Sequence, residues 1–123
     1  TQVLLVEDEP INREVARMFL EEIGFEIDEA ENGAEAVRMA YEKDYAIIIM
    51  DMQMPVMDGL KATRKLREGE KFNAIPILAM TANAFAEDKA RCLDAGMDDF
   101  LTKPVNPEQL YDTLLKFLAG AGR

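Results

Sequence analysis

The stretch Ala46-Ile47-Ile48-Ile49-Met50-Asp51 is a short run of apolar residues that ends on a carboxylate. Runs that are near-continuous in apolar residues, rather than apolar at alternate positions, are typical of parallel β-strands with both faces buried. Three other runs have the same character: Val3-Leu4-Leu5-Val6, Ile77-Leu78-Ala79-Met80 and Phe100-Leu101-Thr102. Each of the four runs leads directly into polar residues, so the sequence predicts a buried parallel sheet with polar groups along one edge.

Strand-like and helix-like segments alternate five times along the chain. The predicted strands are Gln2–Val6, Glu26–Ala30, Ala46–Met50, Ile77–Thr81 and Asp99–Thr102. The predicted helices are Pro10 to a cap at Gly24, the segment from the Asn32-Gly33 turn to Lys43, Gly59–Glu68, Ala86–Ala95 and Pro107–Leu118. This pattern predicts an α/β fold of the (βα)5 type, a parallel five-stranded sheet between two layers of helices, with strand order 2-1-3-4-5.

Three helices show apolar residues at the spacing of a helix face. In the first these are Ile11, Val15, Met18, Phe19 and Ile23; in the second Val37, Ala40 and Tyr41 are expected to face inward; in the last they are Leu110, Leu114, Phe117 and Leu118. The length of 123 residues fits one domain. We expect that domain to occupy residues 1–119, followed by a flexible Gly/Ala-rich tail at 120–123.

Composition excludes several classes of function. The formal net charge of −10 makes direct binding to nucleic acid or to an anionic membrane unfavourable. One cysteine and no histidine leave no intramolecular disulfide, no Cys–His nucleophile and no histidine ligand for zinc. The lone cysteine fits a reducing compartment, so we expect a cytoplasmic domain. No membrane span or signal peptide is visible, and the start at Thr1 suggests a piece of a longer protein.

Acidic residues follow the first and third predicted strands, which are neighbours in the predicted sheet. Glu7, Asp8 and Asp51 would therefore converge, and carboxylates so close repel each other unless a cation lies between them. Oxygen ligands favour Mg²⁺, Mn²⁺ or Ca²⁺ over zinc, and few side-chain ligands at an open edge favour Mg²⁺. Thr81 ends the fourth strand and Lys103 directly follows the fifth, and their hydroxyl and ammonium groups suggest a phosphoryl group beside the metal.

Asp51 has a different environment from the other two acids, because it follows a fully buried strand. We expect it to be an exposed carboxylate at the mouth of the cleft. A carboxylate can attack phosphorus to form an aspartyl phosphate, and the transfer requires positioning and charge neutralisation more than acid–base chemistry. The alternative to a metal and phosphoryl site is that each of these groups only caps a helix or faces solvent.

Four segments resemble the receiver domains of two-component response regulators, including the bacterial chemotaxis receiver. The resemblance covers essentially the whole chain, in the order and with the spacing of that family. The matching segments are Leu4-Leu5-Val6-Glu7-Asp8-Glu9, Met50-Asp51-Met52-Gln53-Met54-Pro55-Val56-Met57-Asp58-Gly59, Met80-Thr81-Ala82-Asn83 and Ala95-Gly96-Met97-Asp98-Asp99-Phe100-Leu101-Thr102-Lys103-Pro104. The resemblance implies a flavodoxin-like fold and a phosphoacceptor role in signal transduction.

The resemblance also implies a role for each acid. Asp51 matches the phosphoacceptor, and Asp8 and Asp51 match the side-chain ligands of Mg²⁺, with Mn²⁺ as an alternative. Gln53 would add its backbone carbonyl as a ligand. Glu7 matches the remaining acidic position, which usually acts through a metal-bound water, and it is Glu where many members have Asp.

The remaining roles concern the response to the phosphoryl group. Thr81 matches the hydroxyl that moves to bond a phosphoryl oxygen, and Lys103 matches the lysine that pairs with that group. Phe100 matches the aromatic switch residue, without the hydroxyl of members that carry Tyr. The bond between Lys103 and Pro104 matches a peptide that is usually cis. The face expected to switch is helix 4, strand 5 and helix 5.

The resemblance implies partners rather than a metabolic substrate. The phosphoryl donor would be a phosphohistidine of a histidine kinase or of a histidine phosphotransfer domain. The domain would not be an enzyme in its own right, although it would catalyse its own phosphotransfer and slow dephosphorylation. The segments around Asn12 and Asn83 are similar to receivers of hybrid sensor histidine kinases, whose parent protein could be membrane-anchored. The output would come from a separate partner protein or from an output domain fused to the receiver.

Three alternatives fit less well. A haloacid-dehalogenase-like phosphatase needs a second Asp two residues after the nucleophile, where this chain has Gln53. A flavodoxin-like cofactor module needs a Ser/Thr/Gly-rich phosphate loop after the first strand, where this chain has Glu7-Asp8-Glu9. A structural pseudo-receiver would lack the acids or Asp51, and all of them are present.

Overall fold

A computed structural model describes the fold for residues 2–51, 59–68, 75–81, 86–102 and 106–121. Strands and helices alternate along the chain as the sequence predicts. The strands are β1 Gln2–Val6, β2 Glu26–Ala30, β3 Ile47–Asp51, β4 Ile77–Thr81 and β5 Asp99–Thr102. The helices are α1 Pro10–Glu22, α2 Gly33–Glu42, α3 Gly59–Arg67, α4 Ala86–Ala95 and α5 Pro107–Ala121.

The five strands form one parallel sheet in the order β2-β1-β3-β4-β5. β1 lies between β2 and β3, with Val6 opposite Ala30 on one side and Met50 on the other. The order reverses direction at β1, because the chain moves outward to β2 and then crosses back to β3. This is the switch point at which ligands bind in open α/β sheets, outside the carboxyl ends of the strands.

Each face of the sheet carries its own hydrophobic core, because successive strand residues point to opposite sides. One core joins the sheet to α2, α3 and α4 and includes Leu4, Val6, Ala40, Ile48, Met50, Leu66, Ala79 and Ala95. The other joins the sheet to α1 and α5 and includes Val3, Leu5, Leu20, Ile49, Leu78, Leu101, Leu110 and Leu114. The three-layer arrangement expected from the sequence is confirmed.

The buried face of α1 differs from the one that its longest apolar stripe suggests. Ala16 and Leu20 are the buried residues of the helix, and Phe19 packs partly against the same core. Ile11, Val15 and Met18 are all exposed, at 70%, 37% and 57% of their surface. These three residues form a separate stripe at i, i+4 and i+7, which the packing of α1 on the sheet leaves in solvent.

Other boundaries and orientations also differ slightly from the expectation. Tyr41 is half exposed rather than inward, since α2 buries the face that carries Ala36 and Ala40. β3 is shifted by one residue and includes Asp51. α5 continues to Ala121, so it includes two residues that the sequence assigned to the tail. The assignment of residues 1–119 to a single domain stays a prediction.

Side chains of loop residues fix the helix starts. Glu9 accepts a hydrogen bond from the backbone N–H of Asn12, and Pro10 occupies the first turn of α1. Asn32 accepts from the N–H of Glu35, and Asn106 accepts from the N–H of Glu108. These bonds satisfy backbone donors that have no partner inside the helix. The starts of α1, α2 and α5 are therefore anchored at the carboxyl edge of the sheet.

Arg67 at the end of α3 binds the turn between α4 and β5. Its Nε donates to the carbonyl oxygen of Gly96 at 2.9 Å, and its Nη2 lies 2.9 Å from Oδ2 of Asp98. Gly96 has φ +107°, and a Cβ at this position would lie 2.7 Å from Cγ of Arg67. Both the backbone conformation and the close approach of Arg67 therefore require glycine here.

A polar cluster ties the edge strand β2 to the end of α2. The hydroxyl of Tyr45 donates to Oδ2 of Asp28 at 2.7 Å, and Nζ of Lys43 lies 2.9 Å from the same oxygen. The hydrogen bond from Tyr45, followed by that from Lys43, lowers the pKa of Asp28. Burial and the Asp28 carboxylate raise the pKa of Tyr45. The cluster therefore favours ionised Asp28 beside neutral Tyr45.

Among the described helices, none is both long and apolar enough to span a bilayer.

Candidate functional site

The candidate site lies where β1 and β3 end side by side. Asp51 is the last residue of β3, and it pairs with Met80 of β4. Strand alternation places its side chain on the same face as Ile47 and Ile49, the face covered by α1 and α5. Glu7 follows β1 directly, and its N–H extends the sheet by one bond to the carbonyl of Ala30. The sheet register therefore brings two acids from distant parts of the sequence to one edge.

Three carboxylates converge at this edge, as the sequence predicts. Glu7, Asp8 and Asp51 each offer a carboxylate oxygen, and these oxygens all lie within 4.8 Å of one another. Asp8 is exposed, whereas Glu7 and Asp51 retain 1% and 3% of their accessible surface. The expectation that Asp51 is exposed is wrong, because the carboxylate belongs to the strand itself and is enclosed by neighbouring structure.

The turn between β1 and α1 is held by a compact set of hydrogen bonds. Oε1 of Glu7 accepts from the N–H of Glu9 at 3.2 Å. Nη1 of Arg13 donates to the carbonyl oxygen of Glu7 at 3.0 Å, and the N–H of Arg13 donates to the carbonyl oxygen of Glu9 at 3.0 Å. Sequence reasoning assigned no role to Glu9 or Arg13. The acid before Pro10 was the available signal for a helix cap, whereas the contact of Arg13 depends on the path of the turn.

The donor set suits a hard divalent cation. All three candidate ligands are carboxylates, and the chain has no histidine to supply a nitrogen ligand. Their oxygens are close enough to contact one ion, and the exposed Asp8 leaves the site accessible from solvent. Carboxylates in a small number, with room for water, are the usual ligands of Mg²⁺. The residues present therefore fit the metal that the sequence suggested.

The other predicted site residues are described to different extents. Thr81 ends β4 opposite Thr102 of β5, which places its backbone at the same edge as Asp51; its side chain lies outside the described part of the chain. Phe100 in β5 is partly buried and packs against the core beneath α2, α3 and α4. Gln53, Lys103 and Pro104 lie outside the described residues, so the roles expected for them stay predictions.

The family of the chain follows from comparison with known proteins. The model of the response regulator receiver domain matches residues 3–115. This match covers nearly the whole chain and agrees with the strand order and with the acidic edge. The chain belongs to the response regulator receiver family, and it is a receiver domain of a two-component system.

Individual relatives show the same relationship. Hybrid signal transduction histidine kinase K of Dictyostelium discoideum is 43% identical over 120 residues, which cover 92% of this chain. The receiver domain of sensor histidine kinase PA1611 from Pseudomonas aeruginosa PAO1, solved with a magnesium ion in its active-site cleft, is 40% identical with a TM-score of 0.90. That alignment covers 96% of this chain and 97% of the other.

A third relative was solved in a complex. The receiver domain of the Saccharomyces cerevisiae response regulator Ssk1, crystallised with the histidine phosphotransfer protein Ypd1, is 34% identical with a TM-score of 0.90. The alignment covers 96% of this chain and 88% of that one. By contrast, the chain spans only 6% to 17% of the full length of eight curated relatives that it matches. The receiver unit is therefore shared with much longer proteins.

Proposed function

We propose that this domain receives a phosphoryl group on Asp51 and holds Mg²⁺ at Glu7, Asp8 and Asp51. The convergence of these three carboxylates within 4.8 Å is the observation that carries the proposal. The backbone carbonyl of Gln53 would complete the protein ligands. Support also comes from the receiver domain of PA1611, which was solved with magnesium in its active-site cleft.

The transfer itself requires a nucleophile and charge neutralisation. An oxygen of the Asp51 carboxylate forms a bond to phosphorus, while the P–N bond to the donor imidazole breaks and its electron pair stays on nitrogen. When bound, Mg²⁺ supplies positive charge that stabilises the oxygens of the transferring group. Burial of Asp51 in β3 holds the carboxylate in one orientation, which reduces the entropy lost on reaching the in-line geometry.

Thr81 and Lys103 complete the proposed response to phosphorylation. The hydroxyl of Thr81 would donate to a phosphoryl oxygen, and the ammonium of Lys103 would pair with another. The position of Thr81 at the end of β4 supports its part. Phe100 would then change its packing, and the surface of α4, β5 and α5 would change with it. Leu93 of α4 and Leu115 of α5 are exposed on these helices and provide apolar surface for an output partner.

The donor in this proposal is a phosphohistidine of a histidine kinase or histidine phosphotransfer domain. The relative crystallised with a histidine phosphotransfer protein supports this class of partner. The exposed stripe of α1, formed by Ile11, Val15 and Met18, begins three residues after Asp8 and gives a helical partner an apolar surface beside the acidic edge. A direct role in nucleic-acid binding is opposed by the net charge of −10.

We further propose that the domain turns over no metabolite, and that the aspartyl phosphate is hydrolysed slowly within the domain. The high identity to a hybrid kinase and to a kinase receiver domain favours a hybrid sensor histidine kinase as the parent protein. The single cysteine favours a reducing compartment such as the cytoplasm.

Phosphorylation by a small donor tests the proposed acceptor directly. Incubation of the chain with acetyl phosphate and Mg²⁺ should add one acid-labile phosphoryl group, detected by intact-mass spectrometry. The Asp51→Asn variant should acquire none, whereas Asp94→Asn, which changes an exposed acid on α4, should be labelled like the wild type. Labelling that persists in Asp51→Asn would refute Asp51 as the acceptor.

A further inference from the structure

We propose that Arg13 is a positioning residue that sets the orientation of the metal-binding turn, defined here as Glu7-Asp8-Glu9. This inference rests on the proposed Mg²⁺ site. It adds to that site a residue that would contact neither the metal nor the phosphoryl group. Arg13 lies one turn into α1, and its side chain is 18% exposed. It contacts the turn twice, through its guanidinium at Glu7 and through its backbone N–H at Glu9.

The guanidinium acts on the peptide unit that joins the two acids. The carbonyl of Glu7 and the N–H of Asp8 belong to one planar peptide group, so fixing the carbonyl fixes that plane. Nη1 of Arg13 donates to this carbonyl at 3.0 Å. The direction in which the chain leaves Glu7, and therefore the position from which the Asp8 side chain starts, depends on this bond.

The side chain of Arg13 is itself held from the other side by β2. Nε of Arg13 lies 3.9 Å from Oε1 of Glu29, and Glu29 is paired with Leu5 in the sheet. One guanidinium thus connects the turn to a neighbouring strand. A lysine has a single ammonium group and lacks the rigid fork that reaches two acceptors in different directions.

The charge of Arg13 does not explain its place beside the acids. A positive charge near the carboxylates opposes the binding of a cation. If Arg13 acted through its charge alone, removal of that charge would increase the affinity of the site for Mg²⁺. Pairing with Glu29 offsets part of that charge. The benefit that remains is geometric, because Arg13 restrains the acidic turn in one conformation before the metal arrives.

Arg17 provides a matched control on the same helix. It lies one turn further along α1, and its Nη1 is 3.4 Å from Oε2 of Glu29, the same carboxylate group that Arg13 approaches. Its other partner is Glu21, so no contact described for Arg17 reaches the turn. Substitution of Arg17 changes the net charge and the Glu29 pair as substitution of Arg13 does, and it leaves the bond to Glu7 intact.

The test is Mg²⁺ binding by isothermal titration calorimetry with Arg13→Lys, Arg13→Gln, Arg17→Lys and Arg17→Gln. Arg13→Lys should bind Mg²⁺ about 10-fold more weakly, the lower end of the losses seen when a residue that orients metal ligands is removed. Arg13→Gln should lose less affinity, because it also removes a charge that opposes the cation. Both Arg17 variants should stay within about 2-fold of the wild type. Arg13→Lys keeps the charge, so its loss of affinity would report geometry.

Other outcomes would overturn the inference. Tighter binding by Arg13→Gln with unchanged binding by Arg13→Lys would mean that Arg13 acts through charge alone. A lower melting temperature of the metal-free Arg13 variants with unchanged Mg²⁺ affinity would mean that Arg13 has a purely structural role. In both cases the wild type still binds Mg²⁺, so the proposed function stands. A wild type that bound no Mg²⁺ would refute the proposed site and the role of Arg13 together.

Discussion

Glu7 and Asp51 place carboxylate oxygens within 4.8 Å of each other, although both side chains are almost fully buried. Like charges this close repel each other, and neutralising one of them removes that repulsion. In metal-free buffer we therefore expect Asp51→Asn to be more stable than the wild type, by on the order of 1 kcal/mol. Urea denaturation in EDTA measures the change, and Asp94→Asn is the control at a distant exposed acid. A less stable Asp51→Asn variant would contradict the prediction.

Mg²⁺ should raise the melting temperature, because it binds the folded site and not the unfolded chain. At a concentration 100 times the dissociation constant the stabilisation is about 2.7 kcal/mol, which corresponds to roughly 10 °C for a domain of this size. Asp8→Ala removes a candidate ligand, so its shift should be less than about half that of the wild type. Thermal unfolding followed by circular dichroism gives both values. An equal shift in Asp8→Ala would exclude Asp8 from the ligand set.

The exposed stripe of α1 should affect transfer from a protein donor and not from a small molecule. Met18→Glu introduces a charge at a side chain that is 57% exposed, so we expect little effect on stability. Transfer from a phosphorylated histidine phosphotransfer domain should slow at least about 10-fold, as for loss of an interface anchor. Leu115→Glu on α5 is the matched control, since its side chain is equally apolar and exposed at 66%. If Met18→Glu slowed phosphorylation by acetyl phosphate equally, the substitution would be damaging the phosphorylation site and not the contact with the protein donor.

Gly96→Ala should destabilise the domain more than Gly24→Ala. Both glycines have positive φ, so each substitution costs about 1–2 kcal/mol of backbone strain. A Cβ at Gly24 meets no atom within 4 Å, whereas at Gly96 it meets Cγ of Arg67 at 2.7 Å. We expect an additional cost of about 1 kcal/mol at Gly96, as for other overpacked sites.

The origin of that additional cost can be checked in an Arg67→Ala background. There the two alanine substitutions should cost the same, as measured by urea denaturation. A difference that persisted would show that Arg67 is not its cause.

Asp28 should contribute to loss of stability in acid. Its pKa is lowered in the folded state by Tyr45 and Lys43. The contribution is therefore present above the unfolded carboxyl pKa of about 4 and is lost as the pH falls through the folded value. Asp28→Asn should reduce stability near neutral pH and flatten its fall between pH 5 and 3. Tyr45→Phe, which removes the hydrogen bond that lowers the pKa of Asp28 most, should flatten that fall partly. Unchanged acid dependence in both variants would contradict the assignment.

Much of the fold follows from local pattern. Ile77–Thr81 and Asp99–Thr102 each contain a short apolar run that lies beside turn residues, and both strands have the limits that the sequence predicts. The glycine after each of α1 and α4 marks the helix end because it adopts positive φ. These features depend on neighbours within a few positions. The predicted strand order then brings the acids together at one edge, and the family motifs suggest their roles.

The parts that could not be predicted depend on contacts between distant elements. α1 carries two apolar stripes, and periodicity alone does not reveal that the sheet buries Ala16 and Leu20 while Ile11 stays in solvent. The burial of Asp51 depends on the flanking strands, and the bond from Arg13 to Glu7 depends on how the turn folds back over α1. Local sequence encodes the conformation of each segment. The burial of a side chain and its contacts with distant residues follow instead from the surfaces that the assembled sheet brings together.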